Sequence, residues 1–113
     1  MKLDFDDLII DLEAKLGKNK SDKGLLIEES FILWYALVED MPCNEFNEID
    51  LQNLLTRNVG IYQGSFSEDA DFSFIIGWMT NIASWYLDPL LNEQDGTGLL
   101  LEAYRRDPRE QLV

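Results

Sequence analysis

Apolar positions recur along the chain at the three- and four-residue steps that place side chains on one face of a helix, and they do so in five stretches. The first carries Phe5, Leu8, Ile9, Leu12 and Leu16 and is predicted to stop at Gly17. Asp4, Asp6 and Asp7 crowd its first turn, where carboxylates suit the positive end of the helix dipole. A polar, lysine-bearing loop over 18–23 follows. The second stretch, 25–39, is apolar nearly all round, as expected of a helix packed on several sides, and Pro42 is its predicted stop. A third helix is expected to begin after Asp50 as N-cap, to share Leu51, Leu54, Leu55, Val59 and Tyr62 on one face, and to end at Gly64.

The fourth stretch is the most regular: Phe72, Ile75, Ile76, Met79, Ile82, Ala83 and Tyr86, with a second stripe of Phe74, Trp78 and Trp85 and a stop at Pro89. The last, 97–106, offers Leu100, Leu101 and Tyr104 and ends in Arg105 and Arg106, cations at the negative end of the dipole. Strand-like alternation is scarce, and no hairpin dipeptide separates two strand-like runs. The pattern predicts an all-α fold of about five helices forming a single compact domain over 1–113.

Composition supports a real core. Of 113 residues, 46% are apolar, among them three Trp, six Phe and four Tyr, too many for a disordered chain. Charge changes the picture more. Twenty-two acids against nine bases, with no histidine, give a formal −13. Between Gly24 and Tyr104 there are fourteen acids and a lone base, Arg57, so that stretch alone carries −13. Such a field repels nucleic-acid phosphates and anionic lipid heads and speeds encounter with a basic partner. Neither nucleic acid nor membrane is expected as a partner. Cys43 is the only cysteine, so no internal disulfide is possible. The start Met-Lys-Leu-Asp-Phe-Asp-Asp is unlike a signal peptide, and the longest apolar run, 31–38, is eight residues against the roughly 20 that span a bilayer. A cytoplasmic location is the expectation.

Much chemistry drops out. Without histidine there is no Ser-His or Cys-His triad and no Cys/His zinc site. Cys43 follows Pro42 among acids, the reverse of the electropositive setting that activates a thiol. Gly96-Thr97-Gly98 lacks the pattern and the lysine of a phosphate loop and reads as a helix start. Aligned on an EF-hand loop, Glu93, Asp95, Thr97 and Glu102 take ligand positions, but Leu91 stands where the first oxygen ligand belongs. Neither an enzyme nor a cofactor is expected.

What remains is the clustering of acids. Glu39, Asp40, Glu45, Glu48 and Asp50 bracket the loop after the second helix, and Glu68, Asp69 and Asp71 open the fourth. Antiparallel packing of neighbouring helices need not bring the two groups together. Acidic helix starts are ordinary, yet −13 exceeds the net charge of roughly 2–8 that solubility asks of a small domain. These eight carboxylates, with Trp78 as an aromatic anchor, are the candidate partner-binding residues.

The run Trp34-Tyr-Ala-Leu-Val-Glu-Asp-Met-Pro42, together with Asp69-Ala-Asp-Phe-Ser-Phe-Ile-Ile-Gly-Trp-Met79 and Ser84-Trp-Tyr86, resembles small helical bacterial immunity proteins of contact-dependent growth inhibition and related polymorphic toxin systems. The closing Glu102-Ala-Tyr-Arg-Arg-Asp-Pro108 looks like the end of a tetratricopeptide-type helix, which implies tetratricopeptide-like helix pairs at the C-terminal end. The resemblance implies a small, acidic, cytoplasmic antitoxin that binds one cognate basic toxin domain, a nuclease in many such systems, and masks its active site or a surface it needs. A helical adaptor that receives a peptide, and a DNA-mimic inhibitor, are the alternatives.

Overall fold

The computed structural model describes residues 5–41, 43–83, 86–87 and 93–106. The protein is all-α, with α1 (Phe5–Lys18), α2 (Lys23–Val38), α3 (Glu48–Ile61), α4 (Ala70–Ile82) and α5 (Glu93–Arg106). No strand occurs among the described residues. The chain divides into two compact units, Met1–Asn58 and Val59–Val113, the division falling within α3.

In the N-terminal unit, α1 runs through Gly17 and buries Phe5, Ile9, Leu12 and Leu16, four of the five positions that its spacing marks. Facing them, α2 contributes Leu26, Leu33, Trp34, Ala36 and Leu37, and α3 adds Leu51 and Leu55. Asp22 caps α2, its side chain accepting the Leu25 N–H at 3.0 Å. Pro42 is not what closes α2. The helix ends at Val38 in a Schellman turn, in which the Met41 N–H reaches the Ala36 carbonyl and the Asp40 N–H the Leu37 carbonyl. That turn needs a left-handed residue after the cap, and Asp40 supplies it at φ 50°. Pro42 itself lies outside the described residues.

The start of α3 also differs from expectation. Asn47, not Asp50, is the cap. The Asn47 side chain accepts the Asp50 N–H at 2.8 Å and the Asp50 carboxylate accepts the Asn47 N–H at 3.1 Å, a reciprocal box that starts the helix earlier.

In the C-terminal unit the helical path continues past Gly64 as a π-helical segment, Tyr62–Phe66. A helical backbone costs glycine only entropy, so Gly64 does not stop it. Ser73 on α4 donates its hydroxyl to the Ser67 carbonyl at 3.2 Å, which commits its single proton, so the buried Tyr62 hydroxyl donates to Ser73 Oγ at 2.7 Å. The Tyr62, Phe66 and Phe72 rings pack around this bond.

Asp69 caps α4 by accepting the Phe72 N–H at 2.9 Å. The helix ends at Ile82, with Ala83 already extended, well before Pro89. Its buried face is Phe72, Ser73, Ile76, Gly77, Met79 and Thr80, followed by Ala83, whereas Ile75 is half-buried and Ile82 exposed. The seam therefore follows small residues as well as bulky ones, because α5 comes in at backbone distance. A Cβ on Gly77 would stand 2.9 Å from the Gly96 carbonyl oxygen, and one on Gly96 would stand 2.8 Å from the Asn81 nitrogen. Gly77 faces Gly96 to Leu100 while Thr80 and Asn81 face Gly96 and Thr97, so the two helices run antiparallel. α5 begins at Glu93 and takes Gly96, Thr97 and Gly98 inside the helix instead of using them as its start. Leu101 and Tyr104, expected on its packed face, are exposed.

Candidate functional site

Glu39, Asp40, Glu45, Glu48 and Asp50 are all exposed, and all lie in the N-terminal unit on the segment 39–50. Three local devices fix that segment. The Schellman turn sets its exit from α2, and the Asn47–Asp50 box sets its entry to α3. Between them Asp6, a buried residue in the first turn of α1, accepts the Asn44 N–H at 2.7 Å on one oxygen and the Glu45 N–H at 3.1 Å on the other. A carboxylate clamping two backbone N–H groups makes strong, charge-assisted bonds. Ile49, between Glu48 and Asp50, is 66% exposed. The segment is pinned at three points and exposes five carboxylates and one bare aliphatic side chain.

Glu68, Asp69 and Asp71 belong to the other unit. Glu68 and Asp71 are exposed, while Asp69 is half-buried and engaged as the α4 cap. Trp78 and Phe74 are half-buried on α4, and Trp85 of the same stripe lies outside the described residues. Of the nine expected site residues, five thus share one segment, three open α4, and Trp78 stands further along that helix.

The lone mid-chain base stays partly exposed and is committed to two carboxylates. Arg57 forks onto Glu13 of α1, Nη1 to Oε1 at 3.0 Å and Nη2 to Oε2 at 2.7 Å, and Nη2 also reaches Glu29 Oε1 at 2.8 Å. Asn58 donates its amide to the same Glu29 oxygen at 2.8 Å. Glu29 is 0% exposed, and its other oxygen is buried without a hydrogen-bond partner. Desolvation, and then the neighbouring Glu13 carboxyl, push the Glu29 carboxyl up to about 8, against the pull of Asn58 and Arg57. The Arg57 fork, set against partial burial, holds Glu13 down at about 2. Arg57 in turn is raised, chiefly by its bond to Glu13.

Spacing rules do not reveal Asp6, Glu13, Glu29 or Asn58. Two signals pointed near them: Arg57 as the one base in an acidic stretch, and Glu29 as an acid inside a helix that lacks a polar face.

The N-terminal unit also holds a small apolar hollow of about 250 Å³ lined by Phe5, Leu8, Phe31, Ile32 and Tyr35. It falls below the roughly 300–1,000 Å³ of ordinary small-molecule sites. Among the described residues no group of three His, Cys, Asp or Glu is placed to hold a metal ion, and no helix is long and apolar enough to cross a membrane. The calcium-loop alignment fails on geometry, since Glu93, Asp95, Gly96 and Thr97 are helical. No protein-family model, curated protein or solved structure matches the chain.

Proposed function

We propose that this chain is an immunity protein that neutralises a basic toxin domain, a nuclease by charge logic, by covering a surface that the toxin needs. The observation that carries the reading is the segment 39–50, which exposes five carboxylates and Ile49, while the charge of Arg57, the one base of the central sequence, is taken up by Glu13 and Glu29. Long-range attraction between the strip and a Lys/Arg surface raises the association rate, and Ile49 supplies a desolvated centre that slows dissociation. The devices that pin the strip lower the ordering cost of binding. Acting by occlusion, the protein needs no catalytic group of its own.

Co-expression with the product of the adjacent upstream reading frame, scored by cell survival and by co-purification, tests this. The reading expects a one-to-one complex and protection. The triple variant Glu39→Gln/Glu45→Gln/Glu48→Gln should lower the association rate by about tenfold or more at low salt and flatten its salt dependence. Survival without the chain, or binding indifferent to both salt and these substitutions, would refute it. Salt-insensitive capture of an apolar peptide would favour the adaptor reading, and competition with duplex DNA for the partner would favour DNA mimicry.

A further inference from the structure

The Glu13–Arg57–Glu29 group in the N-terminal unit has two carboxyls for one guanidinium. Arg57 gives its two-pronged contact to Glu13, which is partly exposed, and only the side of that fork touches Glu29. Glu29 is enclosed on all sides, its Oε1 satisfied twice and its Oε2 not at all. The charged groups that face it are Glu13 from α1 and Arg57 from α3, with the Asn58 amide beside them, while its helix neighbour Ser30 has a buried hydroxyl without a partner. Were both carboxyls ionised, two negative charges would share one guanidinium, and Glu29, cut off from water, would hold its charge with one oxygen unsatisfied, a costly arrangement in a protein interior.

We propose that the folded N-terminal unit keeps a proton on Glu29, and that loss of this proton is a built-in, pH-operated loosening of the seam where α2 meets α1 and α3. With the proton in place the group is neutral: Glu13 negative, Arg57 positive, Glu29 an uncharged acid. Removing it leaves two carboxylates competing for one fork, and the relief available is for water to enter beside α2 or for α1 to draw Glu13 away. The device works on the alkaline side and leaves the unit firmest in mild acid. It rests on the internal cluster alone and is independent of what the acidic strip binds.

The test compares the wild-type chain with Glu29→Gln. Glutamine keeps the acceptor for Arg57 and Asn58 and replaces the acid by a permanently neutral donor. Between pH 4.5 and about 8 the wild-type unfolding constant should rise with pH more steeply than that of the variant, by up to tenfold per pH unit, because one proton fewer is bound on unfolding. Parallel curves would overturn the proposal. Should the variant fail to fold, carboxyl carbon NMR on the uniformly labelled wild-type chain decides it: one glutamate titrating near pH 8 is expected, and no glutamate titrating above the ordinary 4.5 would overturn it.

Discussion

Asp40 and Asp6 show how single acids in this chain have local duties beside their charge. A left-handed backbone costs a residue with a Cβ roughly 1 kcal/mol relative to glycine, and Asp40 bears that cost to close α2. Asp40→Gly should therefore stabilise the fold by about 0.5–1 kcal/mol in urea titration, the reverse of what glycine does inside a helix. Asp6→Asn should act the other way. One of the two N–H groups it holds would face an amide NH2, and the loss of a charge-assisted bond should cost about 2 kcal/mol, with faster hydrogen exchange at Asn44 and Glu45. Neither duty is legible in sequence. Asp6 looks like any acid in a first helical turn, and its partners lie 38 and 39 residues away.

Among the helices, what could be read from sequence was bulk. Ile9, Leu12, Leu16, Leu55, Val59, Tyr62, Phe72, Ile76 and Met79 are buried where their spacing puts them, because large apolar residues gain most by leaving water. The α4–α5 seam is different in kind. Gly77, Thr80 and Gly96 gain from letting two backbones approach, a property of the pair that no single-helix pattern carries. Helix ends differ from their expected positions for a related reason: hydrogen-bonded turns at Asp40 and Asn47 decide them, while the prolines and glycines that signal ends stand nearby. The seam yields a prediction with opposite signs on one helix. Gly96→Ala must push against the backbone of Asn81 and Gly77 and should destabilise by about 1–3 kcal/mol. Gly98→Ala meets open space and should stabilise by up to about 1 kcal/mol, read as thermal midpoints of the two variants.

For the whole molecule, all-α class and strong negative charge were plain from sequence, whereas the role of Arg57 required three elements to be placed at once. That role fixes how stability responds to pH. Glu29 sits higher in the folded chain than its ordinary 4.5, so its contribution is complete below pH 4.5 and drains away as pH rises toward about 8. Glu13 sits lower, so its contribution is complete above 4.5 and drains away as pH falls toward about 2. The two together place the stability maximum near pH 4.5, and mutual repulsion of the remaining carboxylates steepens the alkaline slope. Urea titrations across pH 3 to 9 should trace that dome, with a loss on the order of 4 kcal/mol between its crest and pH 8. The sequence isoelectric point is about 4.1. Concentrated stocks consequently face opposed demands: acid buffers that stabilise the fold also strip away the electrostatic repulsion that keeps copies dispersed, so precipitation threatens where unfolding is least, and neutral buffers exchange that hazard for a smaller margin of stability.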